Sequence, residues 1–127
     1  MNIHHIAITV KDSEKSAKFY AENFGFKEVL RYKRPEWDGG AIVLMLGGLR
    51  LEIFQFESST PRQDDLSNLK VMGIKHIGIG VEDARAVYKQ LKAKGLDIDE
   101  PAEGVSSAWF CFLRDPDGLP IEIYQPK

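Results

Sequence analysis

The chain has 127 residues, one cysteine and a formal net charge of −2 at pH 7. This length suits one domain, and the slightly acidic balance offers no basic surface for nucleic acid, which excludes a nucleic-acid partner. No apolar run approaches the ~20 residues that a bilayer span requires, which excludes a membrane protein. The start of the chain lacks the segments of a secretory signal, and a lone cysteine fits a reducing compartment, so we expect a cytoplasmic protein.

The first half reads as a strand, a helix and three further strands. Residues 5–10 alternate like a half-buried strand, and Asp12 is placed to cap a helix whose apolar residues recur at helical spacing until Gly25. Gly47-Gly48 predicts a tight turn between the last two strands. The strand-like runs after the helix are 26–30, 41–46 and 49–56.

The second half repeats this order. A strand at 76–81 precedes a helix capped by Asp83 and ended by Gly95, and three strand-like runs follow at 97–100, 108–114 and 119–124. The predicted fold is therefore α+β, with two βαβββ modules whose curved, mainly antiparallel sheets surround a cavity. The modules are 1–56 and 73–127, joined by the polar linker 57–72 within one domain of residues 1–127.

Each half carries one histidine and one glutamate at matching places. His5 and Glu52 are 47 residues apart, and His76 and Glu122 are 46 apart. Because side chains alternate along a strand, all four are expected on the face that does not pack on the helices. Two repeated modules related by pseudo-symmetry can bring these groups together into one site. Two imidazoles and two carboxylates suit a divalent ion such as Ni²⁺, Co²⁺, Mn²⁺, Fe²⁺ or Zn²⁺.

The same face also carries the candidate substrate-binding residues. Strand alternation places Phe54, Phe56 and Tyr124 elsewhere on this face, as walls of a cavity, and the loop 33–40 could add Trp37 and Arg34. A half-exposed sheet also has polar residues on its wet face, so any one of the four His or Glu residues alone would be ordinary surface. Their repeat equivalence favours a metal site.

These features together resemble the vicinal oxygen chelate superfamily, which includes glyoxalase I, ring-cleaving dioxygenases, methylmalonyl-CoA epimerase and bleomycin-binding proteins. The order of ligands, His, Glu, His, Glu, most resembles glyoxalase I. The motifs typical of the superfamily are His5-Ile6-Ala7-Ile8, Phe19-Tyr20, Phe24-Gly25-Phe26 and Asp115-Pro116-Asp117-Gly118 through Glu122.

The resemblance implies a metal-dependent lyase or isomerase of the lactoylglutathione lyase type. Such an enzyme relocates a proton next to a metal-bound carbonyl of a small oxygenated substrate, for example a 2-oxoaldehyde adduct. Glu122 would be the base and Glu52 its pseudo-symmetric partner, and Ni²⁺ or Zn²⁺ is the expected ion. Glyoxalase I typically anchors glutathione with an arginine and an asparagine four residues after its two first-module ligands, where this chain has Thr9 and Phe56.

The resemblance further implies a homodimer in which His5 and Glu52 of one subunit meet His76 and Glu122 of the other. Two alternative functions stay open at this point. One is a non-catalytic antibiotic-binding protein of the bleomycin-resistance type, and the other is an Fe²⁺ extradiol-type dioxygenase.

Overall fold

The helix of the first half begins and ends where the sequence predicts. In this computed structural model, which describes all 127 residues, α1 spans Ser13–Phe24. The Asp12 carboxylate accepts a hydrogen bond from the backbone N–H of Lys15 at 3.1 Å, which satisfies one of the free donors of the first turn. Gly25 then ends the helix in the left-handed conformation, with φ of 79°.

The first unit, Met1–Arg62, contains a four-stranded sheet. Its strands are β1 (His5–Thr9), β2 (Lys27–Tyr32), β3 (Gly39–Leu46) and β4 (Leu49–Phe56), and their order in the sheet is β1-β4-β3-β2. Strand β1 runs parallel to β4, and the other two pairs are antiparallel. Helix α1 packs on β3 and β4, and its Tyr20 is completely buried with Leu44 and Ile53 of that face.

The second unit, Gln63–Lys127, contains a three-stranded sheet. Its strands are β5 (Ile77–Gly80), β6 (Ser107–Arg114) and β7 (Pro120–Pro126), and their order in the sheet is β5-β7-β6. Helix α2 (Ala84–Ala93) begins after the predicted cap, Asp83, whose carboxylate accepts two backbone N–H groups of the first turn, each at 3.0 Å.

The predicted strand at 97–100 does not form. This stretch makes only isolated bridges, Ile98 with Leu113 and Ala102 with Phe110. The two bridges are four residues apart on this segment but three apart on the opposing segment, so the register is irregular, and the acidic residues at 97, 99 and 100 are poor strand formers. The second module therefore keeps the predicted course of the chain with one regular strand fewer.

The turn between β6 and β7 is held by a buried carboxylate. Asp115 is only 5% exposed and accepts hydrogen bonds from the backbone N–H groups of Asp117 and Leu119, both at 2.9 Å. Gly118 adopts a positive φ of 81°, a conformation that costs glycine little. This turn sets the start of β7 and hence the position of Glu122.

Two helices and seven strands in two mixed sheets confirm the predicted α+β class. No helix has the length and apolar character needed to cross a membrane.

Candidate metal centre

The first predicted pair of ligands lies together on one face of the first unit. In the parallel register of β1 and β4, Ala7 is the partner of Glu52, so His5 and Glu52 share the face opposite the buried Leu51 and Ile53. His5 Nε2 is 3.8 Å from Glu52 Oε2. The glutamate side chain is 19% exposed and the histidine 51%, so the carboxylate is sheltered while the imidazole stays accessible.

The other ring nitrogen of His5 is occupied by its neighbour. His5 Nδ1 lies 3.0 Å from His4 Nδ1, and the rings meet edge to face. When His5 donates its Nδ1 proton to His4, its Nε2 keeps a free lone pair directed to the side of Glu52. Strand parity predicts that His4 is not a ligand, and this contact indicates a supporting position beside the ligand.

Sequence reasoning missed the hydroxyl that contacts Glu52. The Tyr32 hydroxyl, at the end of β2, donates a hydrogen bond to Glu52 Oε1. This bond raises the pKa of Tyr32, because the carboxylate stabilises the protonated hydroxyl that donates to it. Burial and the negative charge of Glu52 raise the pKa further. A register shift between Glu28 and Leu30 in β2 hides this proximity from simple strand alternation.

The second predicted pair is closer. His76 directly precedes β5, and its Nε2 lies 3.0 Å from Oε2 of Glu122 on β7. Gly78 is the register partner of Glu122, as Ala7 is of Glu52, so a small residue stands beside each carboxylate. The Glu122 side chain is 18% exposed, and the His76 ring packs edge to face on Phe112, with centroids 5.2 Å apart.

Aromatic side chains line the same face of the first unit. Trp37 contacts Tyr32, Phe54 and Phe56, with ring centroids 5.3 to 5.8 Å apart. The Arg34 guanidinium lies 5.3 Å from the centre of the Trp37 ring, a cation–π distance. The predicted loop 33–40 thus packs, through Trp37, on the face that carries Phe54 and Phe56.

The second unit has its own aromatic wall, which includes two residues not singled out in the sequence. Phe110 and Phe112 of β6 are register partners of Tyr124 and Glu122, and their rings lie 6.0 Å apart. Strand parity along β6 could have placed them on this face, since they alternate with the buried Cys111 and Leu113. The Tyr124 hydroxyl donates to the backbone carbonyl of Ser106 and not to a carboxylate.

Nearby charged residues are already engaged. Arg31 is held by Glu14 and Glu28, and its guanidinium holds the pKa of the Glu28 carboxyl below its ordinary value. A cleft of about 680 Å³ in the first unit opens beside Arg31, Tyr32 and Trp37, and Glu52 is not in its wall. The cleft therefore adjoins the aromatic cluster and is separate from the His5–Glu52 pair.

In the isolated chain, the four predicted ligands form two His–Glu pairs, one in each unit, and no three or more His, Cys, Asp or Glu side chains converge to hold a metal. The four-ligand centre therefore stays a prediction. The donor chemistry fits a borderline divalent ion, because in each pair an imidazole Nε2 lies close to the Oε2 of a sheltered carboxylate, 3.8 Å away in the first pair and 3.0 Å in the second.

Comparison with known proteins identifies the family of this chain. Residues 2–123 match the family model of the Glyoxalase/Bleomycin resistance protein/Dioxygenase superfamily. An uncharacterised protein of Bacillus subtilis is 32% identical, with 98% of this chain and 96% of the relative covered. A probable lactoylglutathione lyase of Vibrio parahaemolyticus is 30% identical over 98% of this chain and 91% of its own.

A solved structure has the same fold over nearly the whole length. The glyoxalase family protein from Enterococcus faecalis is 30% identical and superimposes with a TM-score of 0.82, covering 97% of this chain and 96% of the other. The repeated modules, the paired strands and the family match lead to the same conclusion: this chain belongs to the Glyoxalase/Bleomycin resistance protein/Dioxygenase superfamily.

Proposed function

We propose that this protein is a metal-dependent lyase or isomerase of the glyoxalase I type, acting on a small oxygenated substrate such as a 2-oxoaldehyde adduct. The observation that carries the proposal is the pair of repeat-equivalent His–Glu contacts, His5 with Glu52 and His76 with Glu122, each beside a small residue and an aromatic wall. Two sheltered carboxylates beside two imidazoles supply both metal ligands and a proton carrier.

The ligands of the ion would be His5, Glu52, His76 and Glu122. A divalent ion held there, Ni²⁺ or Zn²⁺ in the first place, would polarise a substrate carbonyl and make the adjoining C–H bond more acidic. We assign proton transfer to Glu122, whose Oε2 faces His76 and whose Oε1 has no hydroxyl donor comparable to Tyr32. Glu122 takes the proton from one carbon and returns it to the neighbouring carbon.

The aromatic residues have a separate task. Phe54, Phe56 and Trp37 in the first unit, and Tyr124 in the second, would contact the apolar part of the substrate and keep water from the reacting carbons. Arg34 lies over Trp37 and would pair with an anionic group at the outer end of the substrate.

The two pairs would be joined by dimerisation. We propose that His5 and Glu52 of one chain complete the site with His76 and Glu122 of a second chain, which gives two sites in each two-fold dimer. Each chain on its own offers two donors per unit, and a catalytic divalent ion commonly needs at least three protein ligands.

Metal analysis followed by a turnover assay tests the proposal. Purified protein, stripped with a chelator and titrated with Ni²⁺, Zn²⁺ or Co²⁺, should bind about one ion per chain at saturation. The loaded protein should then convert the adduct of methylglyoxal with at least one of a panel of low-molecular-weight thiols. Replacing Glu122 with Gln should lower kcat by ~10²- to 10⁴-fold, the usual contribution of a general base.

Glu103→Gln is the matched control, since it makes the same chemical change at an exposed residue outside both pairs. Its metal content and turnover should equal those of the parent. A parent protein that binds no divalent ion and turns over no thiol adduct would overturn the proposal and favour the non-catalytic binding protein instead.

A further inference from the structure

We propose that Tyr32 is a positioning residue that makes the two carboxylates of the centre unequal, holding Glu52 in place as a ligand and leaving Glu122 to move the proton. This inference rests on the proposed function. Its starting observation is that the Tyr32 hydroxyl donates to Glu52 Oε1, while the opposite oxygen, Oε2, faces His5 Nε2.

The strand register shows that the second module lacks this tyrosine. In the first unit, Tyr32 is the partner of Ala41, which is the partner of Phe54, two residues beyond Glu52. In the second unit, the corresponding row is Ala102, Phe110 and Tyr124, two residues beyond Glu122. Ala102 therefore occupies the place of Tyr32, and a methyl group cannot donate a hydrogen bond.

No other tyrosine of the second unit takes over this task. Tyr124 uses its hydroxyl on the backbone carbonyl of Ser106, and Tyr88 on α2 donates to Glu100. Glu122 keeps only its contact with His76, so one of its two oxygens is without the restraint that Glu52 has. The pseudo-symmetric carboxylates thus differ by one hydroxyl group.

The Tyr32 ring is itself held in position. It contacts the Trp37 ring at 5.8 Å, and Trp37 packs in turn on Phe54 and Phe56, which lie on the same strand as Glu52. Glu52 lies on β4, and the Tyr32 ring is held against β4 through Trp37. The hydroxyl is therefore directed at Glu52 before a metal ion binds, so binding the ion costs no further side-chain freedom of Tyr32. A preformed hydrogen bond of this kind orients a metal ligand and raises its affinity for the ion.

Cobalt titration of a Tyr32→Phe variant tests the inference, since this change removes the hydroxyl and keeps the ring. We expect Co²⁺ to bind ~10- to 100-fold more weakly than in the parent, as is usual when the partner of a metal ligand is lost, with a changed visible absorption spectrum of the bound ion. Tyr88→Phe is the matched control, because it breaks another Tyr–Glu hydrogen bond, 2.8 Å long, outside both His–Glu pairs. Its Co²⁺ affinity and spectrum should equal those of the parent.

A second comparison separates positioning from a general loss of stability. If Tyr32 acts through Glu52, then adding Tyr32→Phe to a Glu52→Ala variant, which lacks the acceptor, should weaken Co²⁺ binding no further, whereas independent effects would add. Thermal unfolding of the metal-free proteins reports on folding. Parent-like Co²⁺ affinity and spectrum in Tyr32→Phe would overturn the role of Tyr32, and so would equal losses of Co²⁺ affinity in Tyr32→Phe and Tyr88→Phe. Neither result would overturn the proposed metal centre. A parent that binds no Co²⁺ would overturn the metal centre as well.

Discussion

Mixed dimers of two inactive variants offer the sharpest test of how the centre is assembled. His5→Ala breaks the pair of the first unit, and Glu122→Ala breaks the pair of the second unit. Under the proposed dimer, each site takes its first pair from one chain and its second pair from the other. A heterodimer of these variants then has one site with both defects and one site with none.

The expected magnitude follows from this count. Heterodimers isolated through two different affinity tags should bind about half as much metal as the parent dimer, because about one of two sites is intact. Each variant homodimer has one defect in both of its sites, so its metal affinity should fall steeply. Metal content measured by mass spectrometry after dialysis against a weak chelator gives the readout.

The control is a heterodimer of His5→Ala with Glu52→Ala, in which both defects lie in the same pair. Every site then contains one defective pair, so no site is restored whichever way the chains assemble. Shared sites require the first heterodimer to bind clearly more metal than this control. Equal metal content in the two heterodimers, or a parent protein that is monomeric, would refute the shared site.

Three further predictions concern specificity, stability and the single thiol. The glutathione adduct of methylglyoxal should be a poor substrate, with kcat/KM below ~10⁴ M⁻¹s⁻¹, because Thr9 and Phe56 replace the polar anchors that the resemblance to glyoxalase I leads one to expect. Ultraviolet absorbance of the thioester product measures the turnover, and a kcat/KM above this value would contradict the prediction. Asp115→Ala should lower the free energy of unfolding by ~2 to 4 kcal/mol in urea titrations, since two backbone N–H groups lose a charged acceptor, while the exposed Asp97→Ala should change it by less than ~0.5 kcal/mol. Burial, with a smaller contribution from the charge of Asp99, raises the pKa of the Cys111 thiol from 9.0 to about 11. Between these two pH values the thiol is ionised in the unfolded chain and protonated in the folded chain, so the free energy of unfolding falls as the pH rises. Cys111→Ala should make the free energy of unfolding less dependent on pH in this window. Iodoacetamide should accordingly label the native thiol far more slowly than the urea-unfolded one.

Much of the architecture can be read from local sequence because the determinants are local. The caps Asp12 and Asp83 satisfy donors within the next three residues, and Gly25 ends its helix through its own backbone conformation. Side-chain alternation follows from the covalent geometry of a strand, so it places His5 with Glu52 on one face without knowledge of the rest of the fold. The internal repeat then extends the same reasoning to the second module.

Local rules mislead where neighbouring strands decide the outcome. The sequence predicts a strand at 97–100, but these residues stay outside the regular sheet, because the register of their bridges to β6 shifts by one residue between Ile98 and Ala102. Phe112 lies beside His76 only because β6 pairs with β7 in one particular register. Register depends on pairing between distant segments, which alternation within one strand cannot specify.

The inequality of the two carboxylates is the clearest product of the tertiary structure. The sequence by itself determined that each module has one histidine and one glutamate on a common face, since spacing and parity are properties of the chain. Only the folded sheet brings Tyr32, twenty residues before Glu52, within hydrogen-bonding distance of it, past an irregular register in β2. A hydrogen bond across three strands depends on the summed registers of those strands, and these are set by packing and pairing of the whole sheet.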